Sequence, residues 1–275
     1  MAYLNAKSFV FDGKSLDQFH AVMCWFDGDN QDVLDTGLTV ELQRGEQNAV
    51  RTDPNLYGVV YADTLKFEFG IMPGCGKETF TFEESRAINN WLRGSNGYKE
   101  LHFKDDIPEH INYYVMCTEL QDVVYNGRNG KKIVFTANSP FGYTPLIENK
   151  FESETGETAQ YDIYNLSDNG TYYPVVKMNL HDEAVGITIK NISDNEKSTY
   201  IDFAGLDYMK TLILDSANCK ITDENGKIIP IYKIGWDNMD NIYWPRLVKG
   251  WNTFEITGAS LLLFECKFPR KVGVV

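Results

Sequence analysis

Residues 64–94 read TLKFEFGIMPGCGKETFTFEESRAINNWLRG. The first part of this stretch alternates, so that Leu65, Phe67, Phe69 and Ile71 share one side while charged residues occupy the other. A period of two is typical of a strand that buries one face against a core. The pattern therefore predicts a strand over residues 64–71.

The second part of the same stretch predicts a helix over Phe82–Arg93. Thr81 can cap its N-terminus, and Glu84 stands three residues further on, as in a capping box. Apolar residues recur at helical spacing as far as Trp91, and Gly94 follows as a stop signal. A strand followed by one short amphipathic helix is therefore the best-defined part of the first half.

Strand patterns continue on both sides of this centre. Upstream, Ser8–Phe11 ends at an Asp-Gly turn signal. Downstream, Ile111–Leu120 and Lys131–Ala137 are separated by two Asn-Gly pairs, which favour a tight hairpin. The sequence then becomes rich in proline, glycine and polar residues, so we predict one domain over residues 1–138 and a second over residues 139–275.

The second half shows short strand patterns at regular intervals and no helical periodicity, which is typical of a β-sandwich or jelly roll. The predicted strands are Tyr173–Asn179, Val185–Ile192, Thr199–Phe203, Lys210–Asp215, Lys220–Thr222, Lys227–Pro230, Thr253–Thr257 and Ser260–Phe268. The predicted fold class is therefore mainly β, with one helix in the first half.

The composition argues against several classes of function. The chain has 275 residues, 43% of them hydrophobic, without an apolar run long enough for a membrane span. Its formal net charge of −13 repels nucleic-acid phosphates, which argues against DNA binding as its main task. Residues 1–7 lack the pattern of a secretory signal, and five cysteines without close spacing favour the reduced thiols of a cytosolic fold.

The candidate motifs for catalysis, metal binding and cofactor binding lack the residues or the spacing that these functions need. Residues 72–78 resemble a phosphate-binding loop, but Glu78 stands where that loop needs a hydroxyl. The acidic residues 27–32 do not keep the ligand positions of a calcium loop, and the four histidines lack the spacing of zinc motifs. We therefore expect no cofactor, no metal and no enzymatic activity. A hydrolase that uses paired carboxylates, such as Asp202 and Asp207, is kept as a further alternative function.

Four aromatic residues cluster late in the chain, namely Trp236, Tyr243, Trp244 and Trp251. Such side chains can stack on the face of a sugar or fill the core of a sandwich. The residues by themselves leave both interpretations open.

Taken over its whole length, the sequence resembles the distal tail proteins of long-tailed, siphovirus-type bacteriophages in their short form. The resemblance is most specific in the strand, connection and Trp-Leu helix of residues 64–94. Further similar segments are Ser8–Leu16, Asn169–Lys177, Ile187–Asn191, Leu212–Asp215 and Lys249–Gly258. In the last segment Phe254 replaces the aliphatic residue that is usual in the family.

The resemblance implies both a fold and a role. The N-terminal domain would be a β-sandwich with one helix and a projecting hairpin arm, and the C-terminal domain a galectin-like β-sandwich. Six copies would close into a homohexameric ring, each arm embracing its neighbour. The ring would join the tail tube protein to the tail-tip hub, a tail-associated lysin-like protein, and in some phages to receptor-binding proteins.

The same resemblance implies a place in the virion. The ring would sit at the tail tip after assembly in the bacterial host cytoplasm, with no membrane partner. DNA would pass through its central channel without being bound.

The polar, turn-rich stretch over residues 43–62 is the candidate for the arm, because an arm must be soluble before assembly. Within it we expect neighbour contacts from Arg44, Glu46, Arg51, Asp53 and Tyr57.

The alternative function is that of a carbohydrate-binding module. In that interpretation Trp236, Trp244 and Trp251 of the second sandwich form a sugar platform. Longer members of the family carry an inserted carbohydrate module, for which 275 residues leave no room.

Overall fold

The structure is a computed structural model that describes residues 6–25, 40–44, 56–61, 63–74, 76–104, 110–125, 127–153, 157–180, 185–204, 206, 211–236, 242–258 and 260–271. The chain forms two compact units, one of residues 1–144 with 270–275 and one of residues 145–269. Its architecture is mainly β, as predicted, with one α-helix in the described ranges. None of the described helices is long and apolar enough to cross a membrane.

The described part of the first unit contains ten strands, named here in chain order. They are β1 (Ser8–Phe11), β2 (Lys14–Ser15), β3 (Ala21–Cys24), β4 (Val40–Arg44), β5 (Leu56–Tyr61), β6 (Lys66–Pro73), β7 (Lys99–Lys104), β8 (Tyr113–Tyr125), β9 (Arg128–Ala137) and β10 (Gly142–Tyr143). Seven of them form one antiparallel sheet in the order β2-β1-β7-β8-β9-β6-β3.

This sheet folds over on itself to make the two layers of a sandwich. Strands β1 and β6 are four positions apart in it, which would separate them by about 19 Å in a flat sheet. Their side chains nevertheless meet, since the Phe9 and Phe69 rings lie 5.2 Å apart. A bulge between Cys117 and Glu119 of β8 breaks the register at the middle of the sheet, where a bulge increases bending.

The helix α1 runs over Phe82–Arg93, as the sequence predicts. Both bonds of the capping box are present, because Glu84 N–H donates to Thr81 Oγ1 at 3.2 Å and Thr81 N–H donates to the Glu84 carboxylate at 2.9 Å. The apolar face of the helix is buried. The Trp91 indole N–H donates to the Phe11 carbonyl oxygen at 2.9 Å, which ties the helix to β1.

The second unit is a sandwich of two antiparallel sheets. Its strands are β11 (Ile147–Ser153), β12 (Thr158–Asn165), β13 (Val175–Leu180), β14 (Gly186–Asn191), β15 (Lys197–Asp202), β16 (Thr211–Asp215), β17 (Lys220–Asp223), β18 (Gly250–Thr257) and β19 (Ser260–Cys266). One sheet has the order β11-β19-β13-β16-β17 and the other β12-β18-β14-β15. The rings of Phe254 and Phe264, one from each sheet, lie 4.9 Å apart in the core between them.

One predicted strand, Lys227–Pro230, is wrong. Within it Ile228 makes a single isolated bridge to Thr222. The Asp223 carboxylate accepts hydrogen bonds from the backbone N–H groups of Asn225 and Lys227, both at 2.9 Å. These bonds stabilise a turn and leave the segment too short to extend a ladder.

The two units divide the chain later than the predicted boundary at 138/139. Ser139 accepts a backbone hydrogen bond from Leu65, and Tyr143 exchanges two bonds of 2.8 Å with Asn112, so residues 139–144 stay with the first unit. The final strand β20 (Pro269–Arg270) pairs with β10, and Arg270 is counted with the first unit. The sequence prediction instead kept the chain end with the second domain.

Candidate assembly and binding surfaces

Strands β4 and β5 form a hairpin that is separate from the large sheet of the first unit. They pair antiparallel with each other, with Val40 opposite Tyr61 and Leu42 opposite Val59, in a two-stranded sheet of their own. A two-stranded hairpin is marginally stable by itself and gains stability from a further strand or surface. This hairpin therefore has the form expected of an assembly arm.

The hairpin exposes apolar side chains that a folded body would bury. Val40, Leu42 and Val60 are 41%, 44% and 44% exposed. Val40 and Leu42 share one face of β4, because side chains two residues apart in a strand point the same way. Val60 pairs with Glu41 and therefore lies on the other face of the hairpin. Exposed apolar side chains on one face of a free strand pair are typical of a surface that a partner covers.

An aromatic contact attaches the base of the hairpin to the body of the first unit. The ring of Tyr61, at the end of β5, lies 4.8 Å from the ring of Phe141 in an edge-to-face arrangement. Such pairs stabilise by about 0.5–1.5 kcal/mol beyond the buried area. The contact fixes where the hairpin leaves the body.

The predicted arm residues lie at or beyond the ends of these strands. Arg44 is the last residue of β4 and is exposed. Tyr57 belongs to β5. Glu46, Arg51 and Asp53 lie outside the described residues. Their contacts with a neighbouring subunit stay a prediction.

The three predicted sugar-platform tryptophans have different environments in the second unit. Trp236 is 4% exposed, and its indole N–H donates to the Tyr200 carbonyl oxygen at 2.7 Å, so it belongs to the core and offers no face to a ligand. Trp244 is half-buried, with its ring 5.2 Å from that of Trp236. The prediction that Trp236 belongs to a sugar platform is therefore wrong, because its ring is buried in the core of the sandwich.

Trp251 is the most exposed of the three and has an aromatic neighbour. It is 65% exposed and stands directly opposite Tyr164, which is 46% exposed, in the β12–β18 ladder. The two rings are 5.1 Å apart. They form an exposed aromatic pair on the outer face of the four-stranded sheet.

An ion pair between a buried carboxylate and a half-buried arginine, which sequence reasoning missed, lies in the same unit. The Asp194 carboxylate accepts from Arg246 Nε at 2.7 Å, from Arg246 Nη2 at 3.0 Å and from the Tyr243 hydroxyl at 3.1 Å. Arg246 holds the pKa of Asp194 below its usual 3.8, and Asp194 in turn raises the pKa of Arg246. Burial raises the pKa of Tyr243, which keeps its hydroxyl protonated as a donor.

Buried asparagines position the segment that carries Arg246. Asn191 donates to the Arg246 carbonyl oxygen at 2.8 Å, and Asn252 exchanges bonds of 2.8 and 2.9 Å with the backbone of Val248. Asn165 donates to the carbonyl oxygen of Leu247 at 3.3 Å. Nothing in the sequence relates Asp194 to an arginine 52 positions later.

Metal ligands do not gather in the described ranges. There, no group of three or more His, Cys, Asp or Glu side chains is arranged to hold a metal ion.

Two family models together match most of the sequence. Residues 4–139 match the model described as phage tail protein N-terminal domain, and residues 141–266 match the model described as phage tail C-terminal domain. No curated protein matches the sequence.

Solved phage structures share the fold. The crystal structure of the Dit protein of phage SPP1, called a paradigm of the hub adsorption apparatus in phages that infect Gram-positive bacteria, has a TM-score of 0.62 at 14% identity, over 95% of this chain and 98% of that one. A chain of the phage P2 baseplate in its activated conformation with calcium has a TM-score of 0.57 at 9% identity, over 96% and 98%. At such identities the likeness establishes the fold alone.

Proposed function

Since the chain belongs to the phage tail protein family whose domain models match residues 4–139 and 141–266, we propose that it is the ring-forming adaptor of the tail tip. Six copies close into a ring that joins the tail tube protein to the tail-tip hub and, in some phages, to receptor-binding proteins. The ring is assembled in the host cytoplasm and acts in the virion. The chain serves as a structural part and catalyses no reaction.

The observation that carries this proposal is the β4–β5 hairpin. It exposes Val40 and Leu42 on one face and hydrogen-bonds to no third strand in the described part of the chain. An arm on one copy that fits a different surface of the next copy makes a heterologous contact. Repeated copies of such a contact close into a ring when the rotation from one copy to the next is a whole fraction of a full turn. The apolar arm side chains are then buried against the neighbour.

The charge of the chain suits a channel through which DNA moves. Six chains of −13 each give the ring a formal charge of about −78. A protein holds DNA chiefly by replacing the counterions of its phosphates with lysine and arginine side chains. An acidic ring therefore lets DNA pass without retaining it.

Light scattering coupled to size-exclusion chromatography tests the proposal. We expect particles of six times the 31.4 kDa chain mass, and rings in negative-stain electron micrographs. A chain that stays monomeric at the highest concentration reached would refute ring formation.

A matched pair of variants tests the role of the arm. Val40→Glu places a charge on the arm, and Val185→Glu places the same charge on an exposed valine of the second unit. We expect the first to yield monomers and the second to yield rings, because only the first buries a carboxylate in the subunit contact. Rings from Val40→Glu, and from a chain lacking residues 43–62, would mean that another surface makes the contact.

The exposed pair Tyr164 and Trp251 favours carbohydrate binding through the second sandwich as a second candidate function. Two exposed rings on one sheet face provide the flat apolar surface that the face of a sugar needs. A glycan array tests it: we expect Trp251→Ala to lose binding that the parent chain shows. An array on which the parent chain binds no glycan would exclude this function.

A further inference from the structure

The second unit contains a cleft of about 480 Å³ whose lining includes neither the arm nor the exposed pair Tyr164 and Trp251. Its walls come from the start of β15, the turn between β16 and β17, and the segment over residues 242–246. Three of the lining residues are aromatic: Tyr173, Tyr243 and Trp244. The cleft therefore offers aromatic surface in a concave setting, as small-molecule sites do.

The charges that line the cleft are opposite in sign to those of the chain. Lys197 and Arg246 are among the lining residues, which include no carboxylate, although acidic residues outnumber basic ones by 39 to 26 in the whole chain. Asp194 holds Arg246 through two hydrogen bonds but is itself buried and does not line the cleft. In the described ranges Lys197 makes no salt bridge within 4 Å, and its charge acts on Asp194 only at longer range, so its ammonium group can pair with a ligand.

A buried hydroxyl in the cleft lacks a partner. Ser216 is 2% exposed, and its Oγ makes no hydrogen bond to any part of the chain that the structure describes. A buried polar group without a partner is unfavourable, and such groups in native structures have a specific reason. A ligand hydroxyl in the cleft would supply the missing partner, because Ser216 lines it.

We propose that this cleft binds an anionic saccharide. The rings of Trp244 and Tyr173 pack against the C–H face of the sugar, Lys197 pairs with its carboxylate, phosphate or sulfate, and the Ser216 hydroxyl bonds to a sugar hydroxyl. The charge of Arg246 is neutralised by its ion pair with Asp194, so Lys197 carries the positive charge that the ligand meets. The inference goes beyond ring assembly and does not depend on it, because every lining residue belongs to the second unit.

A glycan array with matched pairs of anionic and neutral oligosaccharides tests the proposal on the full-length chain. We expect retention of at least one uronate-, phosphate- or sulfate-bearing glycan, with its neutral counterpart bound about tenfold more weakly, since a charge-assisted pair is lost. Retention of no anionic glycan, or equal retention of the neutral ones, would overturn the proposal. So would competition by polyglutamate as effective as that by the glycan, since the cleft would then recognise acidic peptides.

Variants locate the binding site. Lys197→Glu is expected to weaken binding of the retained glycan at least about tenfold. The control Lys249→Glu changes the charge equally at an exposed site that does not line the cleft, and it should leave binding unchanged. Binding that survives Lys197→Glu would place the glycan elsewhere, for example at Tyr164 and Trp251, and would refute this site without affecting either proposed function.

Ser216→Ala is a second, independent variant of the cleft. Because its hydroxyl has no partner in the described structure, its removal should leave the melting temperature unchanged or raised while binding weakens several-fold. Unchanged binding would show that this hydroxyl does not contact the glycan and would remove the buried-hydroxyl argument for the site.

Discussion

Removing one partner of the Asp194–Arg246 pair should destabilise the second unit, and by unequal amounts for the two partners. The side chain of Asp194 is 3% exposed and that of Arg246 is 30% exposed. Breaking a buried ion pair typically costs about 3–5 kcal/mol, because the remaining charge is left without compensation. Water can reach the guanidinium that remains in Asp194→Asn, but it hardly reaches the carboxylate that remains in Arg246→Met.

We therefore expect a free energy of unfolding lower by about 2 kcal/mol in Asp194→Asn and by about 4 kcal/mol in Arg246→Met. Urea unfolding measures both, and the double variant completes a thermodynamic cycle. The control is Asp162→Asn, an exposed carboxylate with one hydrogen bond from Thr253, which should stay within about 0.5 kcal/mol of the parent.

The pair also predicts a dependence of stability on pH. The folded pKa of Asp194 is depressed below the usual 3.8, so the stability from this group is complete above that value and is lost as the pH falls through the folded pKa. The difference between the parent and Asp194→Asn should shrink in the same window. The reasoning is refuted if Asp194→Asn matches the Asp162→Asn control, if Arg246→Met is the milder variant, or if the difference persists unchanged in acid.

Three further predictions concern other parts of the fold. Trp91→Phe should lower the free energy of unfolding by about 1–3 kcal/mol in urea titrations, because the buried Phe11 carbonyl oxygen loses its indole donor; a neutral effect would contradict this. Thr81→Ala should cost about 1 kcal/mol by losing the helix cap, and amide exchange in the first turn of α1 should accelerate. Among the described cysteines, iodoacetamide should alkylate exposed Cys219 first, since burial raises the pKa of Cys117 to about 11 and of Cys266 to about 12. If mass spectrometry finds that either buried thiol reacts before Cys219, this prediction is wrong.

Elements whose signals lie within their own residues were predicted well. The bounds of α1 follow from the capping box, the apolar spacing and the glycine stop, all within residues 81–94. The hairpin of β8 and β9 was likewise signalled by its Asn-Gly turn, although both strands extend further toward the turn than predicted and β8 begins two residues later. The mainly β class followed from many short alternating segments, which tertiary contacts do not alter.

Elements that depend on a partner distant in sequence were missed. Strand β12 forms because each of its eight residues pairs with β18, about ninety residues later, and its polar outer face gave no apolar signal. The segment over residues 227–230 showed the opposite error, since a carboxylate outside it stabilises a turn. The sequence likewise could not predict which tryptophans are buried, because burial depends on which sheet covers a ring.

The amino-acid sequence alone determined the local structure, namely one capped helix and alternating strands, together with a formal net charge of −13. Only the tertiary structure decided that the hairpin leaves valine and leucine side chains uncovered, that Trp236 is core while Trp251 is exposed, and that two cations line a cleft in an acidic chain. The physical reason is distance along the chain. Helix caps and alternating patterns act over a few neighbouring residues, whereas burial and charge environment are set by strands and loops that lie 50 to 100 residues apart in the chain. Asp194 and Arg246 are 52 residues apart, and Thr158 and Thr257 are 99 residues apart.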